Sequence, residues 1–380
     1  MYKGTSIVVV FLMIVVVAAL LVVQSCTTPK KIVKFGATFP LTGEVASYGQ
    51  KAKRGIEMAV EDQNNRGGLL GKQVLVDFQD DRNEKKEAVS IMTKFATIDK
   101  VPVVFGSAAS GASLAITPLA NRHKVVLISP ISSSSDLSTE GGAFFFRTCP
   151  ADDLQAEILA RWVFETGARM VAIVYTNNSW GKPLADGFQK RFEVLGGQVL
   201  GSDGVQENAA DFRTLITKLK GQSGLDAVVS PTYPKEGGIF VRQAKELGLN
   251  LPLYGGDNWG SPEFRNLAGD AAEGVFYTSP SESTTPGFED FAQRYEARYG
   301  EEPDVLGAYS YDAAVAIFKA VEAAGTANPD KIREALHEVS FIGVSGEIAF
   351  GSNGDLQSEA FAKKTIEDGE AVDVKLGGEK

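Results

Sequence analysis

The chain is poor in the residues on which most catalytic and metal sites depend. Its 380 residues include only two histidines, His123 and His337, and two cysteines, Cys26 and Cys149. A histidine-based triad or a zinc site therefore has little to draw on. The motifs H-E-x-x-H, C-x-x-C, G-x-S-x-G and G-x-x-x-x-G-K-[ST] are also absent from the sequence. We therefore expect neither an enzyme active site nor a bound cofactor or metal.

The sequence also lacks an excess of positive charge. Lys and Arg number 38 against 48 Asp and Glu, which gives a formal net charge of −10 and a pI of about 5.0. A nucleic-acid partner would call for a basic patch, and docking to anionic lipid would call for a polybasic segment. The charge balance disfavours both kinds of partner. The adjacent acids Asp152 and Asp153 are expected to cap a helix.

One long apolar run is present, and it stands at the N-terminus. Residues 7–23 carry no charge, follow Lys3 and precede Ser25-Cys26. This order is typical of a secretory signal peptide, here at 1–25. Val-Gln-Ser-Cys resembles the bacterial lipoprotein box, so we expect Cys26 to be lipidated and 26–31 to form a spacer. The alternative is that the apolar run is retained as a membrane anchor. In both cases the folded part lies outside the cytoplasmic membrane and is tethered to it.

Behind this segment, apolar runs of strand length alternate with amphipathic runs of helix length. A strand at 32–39 precedes a helix at 47–65 and a strand at 73–79, and the alternation restarts after Pro150 with a helix at 152–165. Such alternation indicates β-α-β units and parallel sheets. A chain of this length, with 44% hydrophobic residues, has more than one core needs, so we expect two α/β lobes.

The C-terminal part departs from this alternation. Two consecutive helices are predicted at 309–325 and 331–339, and a hairpin at 343–355 with Asn353-Gly354 at its turn. Two facing α/β lobes, with a ligand at the carboxyl ends of their strands, is the architecture that this order favours.

Two serine-rich loops follow predicted strands in the first half of the chain. GSAASGAS (106–113) leaves the strand 101–105 and enters a helix, and SPISSSSDLS (129–138) follows the strand 125–128. A helix N-terminus presents unpaired N–H groups, and small residues let a carboxylate or phosphate come close to them. The two loops are therefore candidates for one anion-binding site. The alternative is that each is a solvated turn, and Ser132, Ser134 and Ser135 in particular are expected to be turn formers.

Three stretches carry a resemblance to a known family. They are KFGATFPLTGEVASYGQKAKRGIEMAVEDQNNRGGLLGKQVLVDFQDD (34–81), VVFGSAASGASLAITPLANRHKVVLISP (103–130) and FFFRTCPADDLQAEILARWV (144–163). Together they resemble the leucine/isoleucine/valine-binding protein family, the type I substrate-binding proteins of branched-chain amino-acid ABC importers. The match runs from about Lys34 to about Gly351.

The resemblance implies a fold and a function. The fold is α/β, a two-lobed type I periplasmic binding protein in which each lobe is a parallel sheet flanked by helices, and a multi-strand hinge joins the lobes. The implied lobes are 32–150 with 281–338, and 151–280 with 339–376. The implied function is capture of an amino acid, aliphatic or branched, and its delivery to the permease subunits of an ABC importer. We expect a monomer that works in the periplasm or at the cell surface.

The resemblance also assigns ligand contacts to individual residues. It implies that Ser110 holds the ligand carboxylate with its hydroxyl and N–H, and that Ser133 contacts both the ammonium and the carboxylate. The carbonyl of Ile131 and the acid Asp257 fall where the family binds the ammonium. A zwitterion needs donors at one end and a negative acceptor at the other, which agrees with this set. The aromatic residues expected to wall the pocket or close on the ligand are Tyr48, Trp180 and Tyr233.

Other interpretations of these residues stay open. Asp257 lies between Gly256 and Asn258 and could be an ordinary turn residue, Trp180 could cover the lobe edge, and Tyr48 could staple its helix. Trp180 stands where a tyrosine is common in the family, so the resemblance leaves the identity of the ligand side chain open. The rival functions are binding of an amide, urea or aromatic acid, a sensor that acts through a partner, and, most weakly, an enzyme.

Overall fold

The computed structural model describes residues 31–43, 45–281, 283–357 and 361–374. Over these ranges strands and helices alternate and build two large sheets flanked by helices, so the predicted two-lobed α/β fold is confirmed. The predicted signal peptide at 1–25, the lipidation site Cys26 and all but the last residue of the spacer lie outside the described residues. Within the described ranges, no helix is both long enough and apolar enough to cross a membrane.

The first lobe is built from the first third of the chain. Its elements are β1 (Ile32–Phe39), α1 (Ala46–Asn65), β2 (Gln73–Asp80), α2 (Lys85–Lys94), a π-helical turn (Phe95–Asp99), β3 (Val103–Gly106), α3 (Ser110–His123), β4 (Val126–Ser129), α4 (Asp136–Glu140) and β5 (Phe145–Arg147). The sheet order is β2-β1-β3-β4-β5, and all neighbouring strands are parallel. The carboxyl ends of all five strands therefore lie at one edge of the sheet.

The second lobe begins directly after this sheet and repeats its architecture. Its elements are α5 (Asp152–Glu165), β6 (Met170–Thr176), α6 (Gly181–Val194), β7 (Gln198–Val205), α7 (Arg213–Lys220), β8 (Ala227–Ser230), α8 (Pro234–Glu246), β9 (Leu253–Gly255), a 3-10 turn (Asp257–Gly260), α9 (Pro262–Ala268), a second 3-10 turn (Gly269–Ala272) and β10 (Phe276–Pro280). Strands β6 to β10 are parallel where they pair.

The remaining elements are shared between the lobes. They are α10 (Pro286–Tyr299), α11 (Val305–Ala324), α12 (Pro329–Leu336), β11 (Ser340–Ile342), β12 (Glu347–Ala349), β13 (Phe361–Glu367) and β14 (Glu370–Asp373). Residues of α11 and α12 belong to the core of the first lobe, whereas β13 extends the second sheet antiparallel to β10 and β14 pairs antiparallel with β13 at the sheet's edge. The chain thus passes between the lobes after β5, after β10 and before β13, which is a multi-strand hinge.

The predicted return to the second lobe at residue 339 differs from the structure. Ile348, Phe350 and Leu356 lie in the core of the first lobe, where the Phe350 ring meets Phe146 edge-on at 5.4 Å. These apolar side chains face the first lobe, so the chain stays there through residue 357 and joins the second sheet only at Phe361. The end of the predicted second lobe, 375–376, lies outside the described residues.

The hairpin also forms earlier than predicted. Strands β11 and β12 pair from Ser340 to Ala349, and their turn lies at Gly343–Gly346, where the Gly343 N–H bonds the Gly346 carbonyl. Asn353-Gly354 instead turns the chain between the bridged residues Phe350 and Leu356.

A buried arginine ties this late segment to the middle of the first lobe. The Arg147 side chain, at the end of β5, is 0% exposed. Its Nε donates to Asp355 Oδ1 at 2.7 Å, and its guanidinium also donates to the Ser134 carbonyl at 2.9 Å and the Ser138 hydroxyl at 2.5 Å. The guanidinium is therefore paired on all sides, which a buried charge requires.

A buried aspartate fixes the turn of the hairpin. Asp312 on α11 is 1% exposed and accepts the Val344 N–H at 3.0 Å, the Ser345 N–H at 2.7 Å and the Ser345 hydroxyl at 2.5 Å. The Val344 carbonyl in turn accepts from the Ser283 and Thr285 hydroxyls in the segment that follows β10. Burial raises the pKa of Asp312 to about 6, although these hydrogen bonds oppose the shift.

The raised pKa predicts how Asp312 changes stability with pH. Because the folded state binds the proton more tightly than the unfolded chain does, this group's contribution to folding is full below about pH 4, falls as pH rises toward about 6, and is lost above that. Relative to Asp312→Asn, the unfolding free energy of the wild type should fall by up to about 3 kcal/mol between pH 4 and pH 7. Urea titrations of both proteins across this range would measure the difference, and parallel curves would contradict the prediction.

Candidate functional site

The two lobes meet at the carboxyl ends of their parallel strands. The Tyr48 hydroxyl, on α1 of the first lobe, donates to Asn258 Oδ1 of the second lobe at 2.7 Å. Lys85 Nζ and Ser179 Oγ also approach across the lobes to 3.5 Å. Burial raises the pKa of the Tyr48 hydroxyl well above its usual value, and the charge of Asp257 adds to this. The lobes are therefore in contact around the predicted ligand-binding residues.

The structure brings the two serine-rich loops together. Ser132 Oγ lies 2.7 Å from Ser113 Oγ, and the Ser132 and Ser129 hydroxyls both donate to the Ser107 carbonyl, at 2.9 Å and 2.7 Å. Ser107 in turn donates its hydroxyl to Asp81 Oδ2 at 2.6 Å. Ser132 was expected to be a turn former, but it is fully buried and links the loops. This network fixes the spacing between the two loops.

Ser110 and Ser134 lie at the junction of these loops. Ser110 is the first residue of α3, is 3% exposed, and accepts the Ser134 N–H at 3.3 Å. Helix geometry leaves the N–H groups of the first turn without intrahelical acceptors and gives that end a partial positive charge. Ser134, also expected to be a turn former, is buried beside it. The first lobe thus presents hydrogen-bond donors at this point.

Ser133 is held by a residue of the second lobe's first helix. Its hydroxyl donates to Asp152 Oδ2 at 3.1 Å, and the Asp152 N–H donates back to the Ser133 carbonyl at 2.9 Å. The expectation that Asp152 caps its helix is wrong, since Ala151 occupies the cap position and no cap bond is made. The N–H of the neighbouring Ile131, which is half-buried against the first lobe's core, donates to Ser129 Oγ at 3.3 Å.

Asp257 is the first residue of the 3-10 turn after β9, which agrees with its interpretation as a turn residue. One of its carboxylate oxygens is nevertheless buried. Its Oδ1 atom is buried without a hydrogen-bond partner, and burial raises the pKa of its carboxyl while a hydrogen bond from the Gln155 side chain opposes the shift. Gln155, on α5, is fully buried, and its amide nitrogen also donates to Thr278 Oγ1 at 2.9 Å. Burial and the charge of Asp257 raise the pKa of Asp152 well above its usual range.

Three acceptor atoms of the second lobe, around Asp257, are buried without a hydrogen-bond donor in the part of the chain that the structure describes. Asp152 Oδ1, Gln155 Oε1 and Asp257 Oδ1 are buried and receive no hydrogen bond from any described residue. Buried polar atoms are nearly always paired in folded proteins, so three such atoms together are unusual. Sequence reasoning missed Asp152 and Gln155 as site residues. Their spacing of three on one helix face, next to the hinge segment after β5, was the available signal.

Of the three predicted aromatic residues, Tyr233 lines a cleft between the lobes and Trp180 packs behind it. The Trp180 ring is 4% exposed and stacks on Tyr233, with ring centroids 5.4 Å apart and planes 20° apart. Trp180 also packs on Ala156 and Leu184, so it covers the lobe edge as well as facing Tyr233. Tyr233 borders a cleft of about 180 Å³ between the lobes. The cleft is lined by Val45, Arg82, Asn83, Glu207, Asn208, Tyr233, Pro234, Lys235, Glu236 and Glu263.

The arrangement divides hydrogen-bonding roles between the lobes. The first lobe offers donors at Ser110, and the second lobe offers acceptors around Asp257. Across the described ranges, no cluster of three or more His, Cys, Asp or Glu could hold a metal ion. A small molecule with an anionic end and a donor-rich cationic end matches this polarity.

The bond between Tyr48 and Asn258 predicts how readily the lobes separate. One such hydrogen bond contributes about 0.5–1.5 kcal/mol, so Tyr48→Phe should shift the balance between separated and closed lobes about twofold to tenfold toward separation. Small-angle X-ray scattering of the ligand-free protein would detect this as a larger radius of gyration. Tyr299→Phe is the control, since that hydroxyl bonds the Arg54 carbonyl within the first lobe. Equal radii for the wild type and Tyr48→Phe would refute the prediction.

Comparison with known proteins agrees with the fold and with the resemblance. A family model described as periplasmic binding protein matches residues 32–366. The chain is 33% identical to the Leu/Ile/Val-binding protein BraC3 of Rhizobium johnstonii, over 90% of this chain and 93% of that protein. It is 30% identical to a leucine-, isoleucine-, valine-, threonine- and alanine-binding protein of Pseudomonas aeruginosa, over 87% of this chain and 88% of that protein.

Solved structures are similar over the same range. A leucine-binding protein of Thermotoga maritima superposes with a TM-score of 0.84 at 29% identity, covering 90% of this chain and 98% of that one. The branched-chain amino acid transporter substrate-binding protein of Streptococcus pneumoniae, in complex with isoleucine, superposes with a TM-score of 0.81 at 30% identity and the same coverage. The predicted family resemblance is therefore confirmed.

Proposed function

The chain belongs to the periplasmic binding protein family, a family of solute-binding proteins and not of enzymes, and on that basis we propose that it captures an amino acid between its lobes. Delivery of this amino acid to an ABC importer completes the proposed role. The observation that carries the proposal is the polarity of the region where the lobes meet at Ser133 and Asp152. Helix and serine donors lie on the first lobe, and buried acceptors without donors lie on the second.

The amino acid's two charged groups fit these two walls. The carboxylate is assigned to the Ser110 hydroxyl and the N–H groups at the start of α3, because small residues there permit a close approach. The ammonium is assigned to Asp257, the Ile131 carbonyl and the Ser133 hydroxyl. A ligand bound in this way touches both lobes and stabilises the closed arrangement, which is a hinge motion.

An aliphatic or branched side chain suits the remaining wall. The stacked rings of Trp180 and Tyr233 and the ring of Tyr48 supply apolar surface that a side chain without charges can cover. The relatives named for leucine, isoleucine and valine support the same class. An amide or urea, which also carries donors, is the second candidate. A purely anionic aromatic acid would leave the buried acceptors without donors.

The location follows from the family, and the attachment is proposed from the sequence. Periplasmic binding proteins work outside the cytoplasm, so this chain is extracytoplasmic. We propose that Cys26 is lipidated and anchors a monomer next to the permease it serves. The same fold could serve a sensor through a partner protein, and transport activity of a strain lacking this chain would separate the two roles.

Calorimetric titration tests the ligand class. Residues 27–380, unfolded and refolded to remove any carried ligand, should bind an aliphatic amino acid when titrated with each of the twenty amino acids. Asp257→Ala should lose at least about 30-fold in affinity, because the ammonium would lose the carboxylate assigned to pair with it in a buried site.

Asp270→Ala is the matched control, since Asp270 is an exposed aspartate in another turn of the same lobe. It should bind as tightly as the wild type. Absence of saturable heat with every amino acid would refute the proposed ligand class and move the search to amides and urea.

A further inference from the structure

Asp152 is a buried carboxylate that lies beside Ser133 where the two lobes meet. It is 1% exposed and lies at the start of α5, on the second lobe's side of the first hinge segment. Its only side-chain hydrogen bond among the described residues is the one that Ser133 donates to Oδ2 at 3.1 Å. Its other oxygen, Oδ1, is buried and has no partner. A carboxylate kept in this state is costly unless something else completes its pairing.

The bond to Asp152 decides what Ser133 can do. A hydroxyl has one proton to donate and two lone pairs that accept. When Asp152 is ionised, as a neighbouring ammonium would favour, it only accepts, so the Ser133 proton is directed to it and the Ser133 oxygen keeps lone pairs that can accept from a ligand. Ser133 is then an acceptor toward a ligand and not a donor. It would favour an ammonium and disfavour a carbonyl or carboxylate oxygen at that point.

The free acceptors nearby match the same group. An ammonium carries three donors, and the unpaired atoms on this wall are Asp152 Oδ1, Gln155 Oε1 and Asp257 Oδ1. The charge of Asp257 raises the pKa of Asp152, and the guanidinium of Arg147 lowers it. These effects show that the two carboxyls are close enough to interact, so one cation placed between them would be stabilised by both.

We propose that Asp152 is a positioning residue for the ligand ammonium: it orients the Ser133 hydroxyl as an acceptor and adds a second negative charge beside Asp257. This assignment rests on the proposed function, since it presumes that an amino acid is the ligand. It makes recognition of the ammonium depend on both lobes, because Ser133 belongs to the first and Asp152 to the second. It also predicts that the site discriminates against ligands that lack the amine.

The test compares two ligands that differ only in the amine. Leucine and 4-methylpentanoate share their carbon skeleton and carboxylate, and their affinities can be measured by calorimetry and by displacement of labelled leucine. Asp152→Asn should weaken leucine at least about tenfold, in the range expected for a charge-assisted bond, and change 4-methylpentanoate less than about threefold. Asp153→Asn, an exposed neighbour in the same helical turn, should change neither ligand. Equal losses for both ligands in Asp152→Asn would overturn the assignment.

Thermal unfolding separates positioning from a structural role. Asn keeps the volume of Asp and removes a desolvated charge, so the melting temperature of Asp152→Asn should stay the same or rise. A fall in melting temperature together with equal losses of both ligands would show that Asp152 merely holds the fold.

A double variant covers the case in which 4-methylpentanoate binds too weakly to displace leucine. If Asp152 acts partly through Ser133, the loss in Asp152→Asn/Ser133→Ala should be smaller than the product of the two single losses. Losses that multiply would overturn the assignment. No binding of any amino acid by the wild type would instead refute the proposed function, and the assignment with it.

Discussion

The second lobe buries acceptor atoms that have no donors among the described residues, and these atoms limit which ligands could bind between the lobes. Asp152, Gln155 and Asp257 each bury one unpaired oxygen there. The facing wall of the first lobe offers a helix N-terminus beside the Ser110 hydroxyl. Because unpaired acceptors are costly to bury, closure is favoured by a ligand that brings donors to one wall and accepts from the other. On the proposed function, recognition and closure are one event, since the ligand would supply the pairing that the lobes lack.

The two walls differ in how far their polar groups are already paired. In the first lobe Ser107, Ser113, Ser129 and Ser132 bond to one another, so the serine loops are rigid before any ligand arrives. In the second lobe the carboxyls remain incompletely paired, and burial raises their pKa values. The preorganised donors of the first lobe would therefore determine which ligand shape fits. The unpaired acceptors of the second lobe would favour closure onto a ligand that carries donors.

Local patterns predicted the fold well, and long-range contacts were harder to predict. The strand at 32–39 and the helix at 152–165 have the predicted bounds, because alternation and helical spacing are properties of neighbouring residues. The boundary at 339 was wrong because only contact with Phe146 shows which lobe the late hairpin covers. Ser110 and Asp257 could be singled out because the family motif carries them. The position of Asp152 beside Ser133 depends on a loop 19 residues away.

The salt bridge between Arg147 and Asp355 also makes folding of the first lobe depend on a late part of the chain. It joins the serine-loop region to a segment near the C-terminus, and α11 and α12 lie in the same core. The core of the first lobe therefore cannot be completed by the early part of the chain alone, since it also needs the segment around Asp355. Folding of the first lobe is thus coupled to the arrival of a segment 208 residues further along the chain.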